Sequence, residues 1–334
     1  MSILSAIVLA AGQGKRMVSA LPKVLHRAAG RPLVHYPVRA ALDAGAGRVV
    51  VVASPETREP LERDLVAAFG RERITVVVQS PPRGTGDAAR VGLEAVEGDR
   101  VLILCGDTPL LQGADLAPLA AALTADPALR VAVSSARLDD PTGYGRILRD
   151  ASGRVTAIRE HRDLASDEER AIREVNSGHY AADVAFLRAA LAELRPANAQ
   201  GELYLTDTVE IAARAGAAAA VIGGADGLLG VNDRVQLVAA EELLFARVAR
   251  RLAAAGVTVR AGARVDDTVE VGGETVLEHG VRLRGDTRVG RDVVIDAGAV
   301  LDDCVVGDGA VIGPYAALRG VTVPAGGRIA AGAR

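Results

Sequence analysis

A run of small residues followed by cationic side chains lies near the N-terminus. The segment from Leu9 to Gly12 precedes Arg16 and Lys23, and in a chain that otherwise uses arginine the only lysines are Lys15 and Lys23. Small residues let backbone N–H groups approach phosphate oxygens, and cationic side chains add charge-assisted hydrogen bonds. The segment lacks the P-loop spacing, and Met17 stands where a dinucleotide fingerprint has its third glycine. We therefore expect a phosphate-binding loop, and the alternative is a tight turn with solvated charges.

A second polar loop follows the apolar segment at residues 74–78 and contains Gln79, Gly84 and Thr85. A loop of small residues can lie against a base or a sugar. A glutamine amide can read a pyrimidine edge through one donor and one acceptor. The pattern favours a nucleoside site, but the same residues taken alone are also typical of an ordinary loop.

An aspartate follows a glycine after the next apolar segment, residues 101–104. Gly106 and Asp107 come directly after Cys105. A carboxylate at the carboxyl end of a strand is well placed to hold Mg²⁺ against phosphates, and the alternative is a cap on the next helix. We interpret Cys105 as a buried strand residue and not as a nucleophile, because no basic environment is evident around it.

Further polar or glycine positions stand in apolar surroundings, and each taken alone is more often structural. They are Gly145, Glu160, Asn176 and Asn232. The five histidines show no metal-ligand spacing, and we interpret them as structural. They are His26, His35, His161, His179 and His279.

An α/β sheet must position these loops. Over roughly the first 225 residues, short apolar runs alternate with helical patterns, which predicts parallel strands covered on both faces. The runs are residues 7–9, 49–52, 74–78, 101–104 and 131–134. Because ligands bind beyond the carboxyl ends of such strands, we expect the chemistry in the loops after Leu9, Val78 and Leu104.

Aliphatic residues recur every six positions in the C-terminal part, with two five-residue steps. They are Val271, Leu277, Leu283, Val289, Ile295, Leu301, Val306, Ile312, Leu318, Val323 and Ile329. This period is typical of a left-handed parallel β-helix, in which three short strands form one triangular coil. The eleven positions predict between three and four coils. An amphipathic pattern at residues 235–255 predicts a helix that links two domains.

Length and composition exclude several classes of protein. A chain of 334 residues with 49% apolar residues is expected to form two domains with real cores. A net charge of −3 and 2% aromatic residues argue against a nucleic-acid binder. The N-terminal segment lacks the basic residues of a signal peptide, and no apolar run is long enough to span a membrane. We expect a cytoplasmic protein.

Taken together, the motifs resemble those of one enzyme family. In order along residues 5–237 they read LAAGQGKRM, LPKVLHRAAGRPLVHYPV, GTGDAA, CGDTPLL, DPTGYGRI, IREHRD, EVNSGHY, NAQGELYLTD and GVNDRVQL. The set is similar to that of the bacterial N-acetylglucosamine-1-phosphate uridylyltransferase, the N-terminal half of a bifunctional uridylyltransferase/glucosamine-1-phosphate acetyltransferase. The resemblance implies a Rossmann-like α/β nucleotidyltransferase domain with a mixed, mostly parallel sheet at residues 1–230. A linker helix at 231–258 and a left-handed β-helix at 259–334 would follow.

The resemblance also implies substrates and site residues. UTP and N-acetylglucosamine 1-phosphate would give UDP-N-acetylglucosamine and pyrophosphate, with Mg²⁺ as cofactor. The positions implied for the nucleotide phosphates are Leu9, Ala10, Ala11, Gly12 and Lys23, and Arg16 and Lys23 would act in catalysis. Those implied for uracil and ribose are Gln79, Gly84 and Thr85. Gly106 and Asp107 would contact substrate, and Asp107 and Asn232 would bind Mg²⁺. The N-acetylglucosamine moiety would be held by Gly145, Glu160 and Asn176.

The sequence departs from the family pattern at four positions. Lys15, Cys105, Arg162 and Leu203 stand where threonine, tyrosine, lysine and an aromatic residue are usual. None of these changes removes a metal or phosphate ligand, but they bear on selectivity for base and sugar. The segment IGPYAALR, ending at Arg319, resembles part of the acetyltransferase half, whose catalytic residues would lie beyond Arg334. We therefore expect no acetyltransferase activity, and a homotrimer formed through the β-helix.

The expected reaction is in-line attack of a sugar-phosphate oxygen on the α-phosphorus of UTP, catalysed by positioning and charge neutralisation. One alternative is transfer to a different sugar 1-phosphate or from a different nucleotide. Another is a non-catalytic scaffold that binds sugar nucleotides, which the presence of Lys23, Asp107 and Asn232 disfavours.

Overall fold

The computed structural model describes residues 4–12, 14–223 and 230–334, and the side chain of Lys15 is outside this description. The chain divides into two compact units. Unit 1 comprises Met1–His26 and Leu33–Asp233, and unit 2 comprises Arg27–Pro32 and Arg234–Arg334. Within the described ranges, no helix is both long and apolar enough to cross a membrane.

The elements before the C-terminal repeats alternate between strand and helix. The strands are β1 (Leu4–Leu9), β2 (Arg27–Ala28), β3 (Arg31–Pro32), β4 (Arg48–Ala53), β5 (Ile74–Val78), β6 (Arg100–Cys105), β7 (Val131–Arg137), β8 (Arg146–Arg149), β9 (Val155–Arg159), β10 (Glu174–Asp183) and β11 (Ala218–Ile222). The α-helices are α1 (His35–Asp43), α2 (Arg58–Phe69), α3 (Thr85–Leu93), α4 (Gly113–Ala125), α5 (Asp167–Ala171), α6 (Val184–Glu193), α7 (Asp207–Arg214) and α8 (Arg234–Ala254). Short 3-10 turns span Lys15–Met17, Lys23–Leu25 and His161–Asp163.

Unit 1 is built on a mixed, mostly parallel sheet. The strand order is β11-β7-β10-β6-β1-β4-β5, and a β8–β9 hairpin extends from β10. The long strand β10 runs antiparallel to both of its neighbours, β6 and β7, whereas β1 is parallel to both β4 and β6. The predicted Rossmann-like fold with its mostly parallel sheet is confirmed.

Alternate residues of the central strands enter two separate cores. Ala6 and Val8 of β1 lie in the core on one face, and Ile7 lies in the core on the other. Strands β4 and β6 alternate in the same way, and α2 and α4 contribute to the first core and α3 and α6 to the second. Because both faces are covered by helices, the strands read in the sequence as continuous apolar runs.

The strand order reverses next to β1. The chain passes from β1 to β4 and β5 on one side and then returns to pair β6 on the other. Leu9 and Cys105, the last residues of β1 and β6, are in register with each other. The carboxyl ends of two strands at such a reversal form the crevice in which α/β proteins bind ligands.

Unit 2 contains the β-helix, helix α8 and the short β2–β3 hairpin. The strands of the β-helix are β12 (Thr258–Val259), β13 (Arg264–Val265), β14 (Glu270–Val271), β15 (Val276–Leu277), β16 (Arg282–Arg284), β17 (Arg288–Val289), β18 (Val294–Ile295), β19 (Val300–Asp302), β20 (Val305–Val306), β21 (Val311–Ile312), β22 (Ala317–Arg319), β23 (Thr322–Val323) and β24 (Arg328–Ile329). They stack in three parallel sheets of five, four and four strands. The predicted left-handed β-helix is confirmed.

The β-helix has more coils than the aliphatic positions predict. The described strands make four coils and one further strand, whereas the sequence pattern predicts between three and four coils. The two strands that the pattern missed end at Val259 and Val265, which keep the six-residue spacing that leads to Val271. Val248 and Leu252 of α8 belong to the core of the β-helix, so this helix packs as part of unit 2.

Candidate active site

A cavity of about 450 Å³ opens at the carboxyl ends of β1, β5 and β6 in unit 1. Most of the residues predicted to bind the nucleotide line it. These are Leu9, Ala10, Ala11, Gly12, Lys23, Gln79, Gly84, Thr85 and Asp107. Gly106 lies directly beside it, because its N–H donates to the Leu9 carbonyl over 2.9 Å. The three polar loops singled out in the sequence therefore meet at one site.

Lys23 connects the two residues predicted to bind metal. Its ammonium donates to the carboxylate of Asp107 and lies 3.4 Å from Oδ1 of Asn232. The side chains of Lys23 and Asp107 are largely buried, with about 14% and 15% of their surface exposed. Asp107 and Asn232 are also joined through the backbone, since the N–H of Val231 donates to the Asp107 carbonyl over 2.8 Å. The side-chain oxygens of Asp107 and Asn232 are thus suited to a cation, and both already contact the ammonium group of Lys23.

The NH₂ group of the Gln79 side-chain amide is fully hydrogen-bonded within the protein. Its Nε2 donates to the Gly84 carbonyl over 3.0 Å and to Oδ2 of Asp87 over 2.9 Å. Both partners are acceptors, so the amide orientation is determined by its contacts. The sequence predicts a donor and an acceptor at this position; in the structure both amide hydrogens are engaged, and only Oε1 is available to act on a ligand.

The loop with Gly84 and Thr85 is built against residues 202–205. The Leu203 N–H donates to the Arg83 carbonyl, and the Leu203 carbonyl accepts from Gly86. Gly84 has φ +103°, and a Cβ there would lie 2.5 Å from the Leu203 carbonyl oxygen, so only glycine fits. Thr85 begins α3, and its hydroxyl accepts from the Leu205 N–H. The departure from the family pattern at Leu203 leaves its hydrogen bonds to Arg83 and Gly86 intact, because backbone atoms make them.

Arg16 is exposed on the 3-10 turn Lys15–Met17, and it is not among the described residues that line the cavity. Its positive charge influences the pKa of Tyr144, a half-buried residue that was not predicted as a site residue. Burial raises the pKa of Tyr144, the negative charge of Asp107 raises it further, and the positive charge of Arg16 lowers it. Tyr144 therefore lies within electrostatic reach of both charges. The sequence signal that could have pointed to Tyr144 is its position between two glycines of the motif DPTGYGRI.

The residues predicted for the sugar form a second cluster. The Asn176 N–H donates to the Gly145 carbonyl over 2.8 Å, and a Cβ on Gly145 would lie 3.3 Å from Oε1 of Glu160. Asn176 Nδ2 donates to the Tyr180 hydroxyl, and the strand is irregular between these two residues. Burial raises the pKa of Glu160. None of the three lines the cavity itself.

Cys105 lies between the cavity and this cluster. It lines the cavity, and its Sγ is 3.4 Å from the Gly178 carbonyl. Burial first, and then the carboxylate of Asp107, raise the pKa of its thiol to about 12. A thiol with that pKa is not a nucleophile near neutral pH. Cys105 is a strand residue, as the sequence predicts, but it is partly exposed and not fully buried.

Asp207 is a further titratable group that the sequence analysis missed. Burial and the neighbouring carboxylates of Glu210 and Asp163 raise its pKa to about 6, while Arg159 lowers it. It is the first residue of α7, in the motif NAQGELYLTD. A perturbed carboxyl group next to a cluster of polar residues is a common feature of functional sites.

Comparison with known proteins identifies the family. Residues 6–175 match the MobA-like NTP transferase domain, and residues 286–320 match the bacterial transferase hexapeptide (six repeats). A bifunctional protein GlmU of Sorangium cellulosum is 52% identical over 331 residues, which are 98% of this chain and 70% of that protein. The chain belongs to the GlmU family. The resemblance inferred from the motifs is confirmed, and unit 1 carries a nucleotidyltransferase domain.

Other GlmU relatives match over a similar range. Bifunctional GlmU proteins of Anaeromyxobacter dehalogenans and Trichlorobacter lovleyi are each 45% identical, over 97% and 92% of this chain and 66% of each relative. The chain thus spans about two thirds of the length of these GlmU proteins. A solved Bacillus anthracis protein, described as a glucose-1-phosphate thymidylyltransferase in complex with a sucrose, shares the fold at a TM-score of 0.60. It is 21% identical, and the match covers 72% of this chain and 94% of that one.

Proposed function

We propose that this GlmU-family chain transfers a uridylyl group from UTP to N-acetylglucosamine 1-phosphate, releasing pyrophosphate with Mg²⁺ as cofactor. The observation that carries the proposal is the contact of the Lys23 ammonium with the oxygens of Asp107 and Asn232 at the mouth of the cavity. It combines a cationic side chain suited to phosphate with two oxygen atoms suited to a metal.

The residues at this point fit a magnesium ion. Mg²⁺ prefers oxygen ligands and usually takes one or two from the protein, and water and substrate phosphates supply the rest. The described residues contain no group of three or more His, Cys, Asp or Glu side chains that could hold a metal without substrate. Asp107 and Asn232 would therefore hold the ion together with nucleotide and sugar phosphate oxygens. When bound, the ion would neutralise phosphate charge and orient the two phosphate groups.

The chain's own residues would align the substrates and stabilise negative charge. A phosphate oxygen of the sugar 1-phosphate forms a bond to the α-phosphorus, and the bond to the bridging oxygen of pyrophosphate breaks and leaves its electron pair on that oxygen. Backbone N–H groups from Leu9 to Gly12 would bind the nucleotide phosphates. Lys23, once released from Asp107, would donate to the α-phosphate or the leaving group. Arg16 would add positive charge near Tyr144.

Because its NH₂ group is already hydrogen-bonded, Gln79 favours uracil over cytosine as the bound base. Its remaining acceptor, Oε1, can take a hydrogen bond from the N3–H of uracil. Cytosine has an acceptor at N3, so two acceptors would face each other there. Gly84 and Thr85 would lie beside the base and the ribose, and Gly106 beside the phosphates.

The second cluster supports an amido sugar as acceptor. Glu160 has a carboxylate that can accept hydrogen bonds from sugar hydroxyls, and Asn176 and the backbone of Gly145 can bind polar groups of the same ring. Cys105 lines the cavity and also contacts Gly178, whose N–H donates to Asn176, which suits a sugar bound beside the nucleotide phosphates.

An assay of pyrophosphate release over a grid of nucleotides and sugar phosphates tests the proposal. UTP, CTP, ATP and TTP would each be combined with N-acetylglucosamine 1-phosphate, glucose 1-phosphate and glucosamine 1-phosphate, with and without Mg²⁺. We expect the fastest release from UTP with N-acetylglucosamine 1-phosphate. A different fastest pair would replace the substrate assignment, and binding without release from any pair would favour a non-catalytic scaffold.

A further inference from the structure

A buried aspartate lies behind the glutamine that faces the nucleotide cavity. Gln79 lines this cavity in unit 1, whereas Asp87 is not among the described residues that line it. Both side chains are buried, each only 4% exposed. The 2.9 Å hydrogen bond from Nε2 of Gln79 to Oδ2 of Asp87 joins the loop after β5 to the first turn of α3. Asp87 would therefore act on a bound base through Gln79.

The second oxygen of the Asp87 carboxylate is bonded as well. Nη2 of Arg90 donates to Oδ1 of Asp87 over 2.8 Å, and Nη1 donates to Glu94 over 3.2 Å. Residues three apart lie on the same face of a helix, so Arg90 reaches Asp87 along α3. The hydrogen bond to Asp87 is the main cause that raises the pKa of Arg90. Asp87 is thus held between a neutral NH₂ group and a guanidinium group.

Both neighbours of Asp87 are hydrogen-bond donors, and this limits which side chain can stand between them. An ionised carboxylate has an acceptor oxygen on each side, whereas an amide of the same size has one acceptor and one donor. Arg90 compensates the negative charge, and so does the first turn of α3, where the helix dipole favours an anion. An acidic side chain is therefore required here if the NH₂ group of Gln79 is to keep its partner.

We infer that Asp87 and Arg90 are positioning residues that determine the choice of base, because together they fix the orientation of the Gln79 amide. This inference rests on the proposed function, in which Oε1 of Gln79 accepts a hydrogen bond from N3–H of uracil. The Gly84 carbonyl accepts one hydrogen of the Gln79 NH₂ group over 3.0 Å, and Asp87 accepts the other. Only Oε1 is then left for the ligand, and a base with an acceptor at N3 is disfavoured.

The first variant that tests the inference is Asp87→Asn. The single acceptor of the introduced amide should turn toward Arg90, because hydrogen bonds from a charged donor are the stronger ones. Its NH₂ group would then face the NH₂ group of Gln79. Whether Gln79 turns over or loses this partner, its oxygen is no longer held toward the ligand. We expect the ratio of kcat/KM for UTP to that for CTP to fall about tenfold, the scale of one hydrogen bond.

Removing Arg90 from that variant should restore the preference for UTP. In the double variant Asp87→Asn/Arg90→Ala, the introduced amide can turn its oxygen to Gln79, so the ratio should return toward that of the unaltered chain. Arg90→Ala alone should leave the ratio unchanged, because the carboxylate still accepts from Gln79. Loosening of α3 without a role in base choice would lower kcat/KM for both nucleotides alike, and removal of Arg90 would not repair it.

Two further variants complete the series. Asp87→Ala removes the acceptor without adding a donor, so the ratio should fall less than in Asp87→Asn. Asp115→Asn is the matched control: Asp115 is the third residue of α4, as Asp87 is of α3, and it accepts from the Gln112 N–H over 2.9 Å. Because this bond is made at the start of another helix, the control should leave the ratio unchanged.

An unchanged ratio in Asp87→Asn would overturn the inference, as would a double variant that stays as unselective as Asp87→Asn. Calorimetric titration with UTP and with CTP, in the absence of sugar phosphate, gives the corresponding ratio of Kd values without catalysis. If the unaltered chain bound UTP in preference to CTP but released no pyrophosphate, the proposed transfer would fail and the Kd ratios would still decide the inference. Equal binding of UTP and CTP by the unaltered chain would overturn the inference.

Discussion

The Lys23 ammonium contacts the Asp107 carboxylate, although 84 residues separate the two along the chain. Lys23 begins a 3-10 turn and Asp107 follows β6, so the contact joins two different loops at the reversal of strand order. The lysine neutralises a carboxylate that is largely removed from solvent. The same carboxylate would hold a divalent cation when Lys23 donates to a phosphate instead.

Asp107→Asn should reduce kcat about 100-fold or more, since loss of one preorganised electrostatic group has effects of this order. The amide keeps the size of the side chain but removes the charge that holds Lys23 and would hold the metal. Pyrophosphate release at increasing Mg²⁺ measures the effect. Asp139→Asn, at an exposed carboxylate paired with Arg173, is the control and should be fully active. Activity of Asp107→Asn close to that of the unaltered chain, with the same Mg²⁺ dependence, would exclude this role.

Lys23→Arg should also impair turnover, by about 10- to 100-fold, because a small displacement of a catalytic group has effects of this size. The planar guanidinium cannot replace a compact ammonium between Asp107 and Asn232. Thermal unfolding should change little. A fully active variant would show that the site does not select lysine for its shape.

Much of the site could be predicted from local sequence, and the rest depended on contacts between distant residues. Leu9, Asp107 and the sheet that positions them were predictable, because buried parallel strands read as apolar runs and their carboxyl ends meet. The hydrogen bond from the Gln79 amide to Asp87 depends on side-chain orientation, which a sequence pattern does not show. Membership of Arg27–Pro32 in unit 2 depends on Asp267, which is 236 residues from Arg31, so no local signal exists.

Gln79→Met should lower the preference for UTP over CTP by about tenfold, the effect expected when one hydrogen bond to a buried partner is lost. Methionine has a similar length but cannot accept the hydrogen bond that uracil N3–H would donate. It also loses the bonds to Gly84 and Asp87, so the absolute rate will fall for both nucleotides. The measurement is therefore the ratio of kcat/KM for the two nucleotides. An unchanged ratio would mean that another group reads the base.

His179 should make the protein less stable as the pH falls below about 6.5. Its side chain is fully buried, and among the described residues neither ring nitrogen has a hydrogen-bond partner. Burial lowers its pKa to about 4 from the ordinary value of 6.5. Between these two values the unfolded chain binds the proton and the folded chain does not, so stability decreases as the pH decreases. From pH 7 to pH 5 the loss from this residue is about 2 kcal/mol.

The variant His179→Leu removes this proton-binding difference. Urea unfolding of both proteins at pH 7 and pH 5 should show that the leucine variant loses about 2 kcal/mol less over this range. Asp207, whose raised pKa acts in the opposite direction, is present in both proteins and cancels in the comparison. Equal losses in the two proteins would show that His179 is not held neutral by burial.

One sheet of the β-helix should form the interface of the predicted homotrimer. Its outer row includes Val276, Val294 and Val311, which are in register on neighbouring coils, while the adjacent residues Leu277, Ile295 and Ile312 point into the core. The corresponding rows of the other two sheets begin with Arg264 and Arg282 and with Glu270 and Arg288. Around a threefold axis each chain presents the same surface, and an apolar row gains most from burial.

Val294→Asp should therefore dissociate the trimer, because three carboxylates would be brought together in an apolar interface. Val305→Asp is the matched control: Val305 is an exposed valine, 48% accessible, on a different sheet of the same β-helix, and its substitution should leave the trimer intact. Light scattering coupled to size exclusion, over a range of protein concentrations, measures the mass of all three proteins. A monomeric unaltered chain at high micromolar concentration would contradict the trimer. Dissociation by Val305→Asp alone would move the interface to the other sheet.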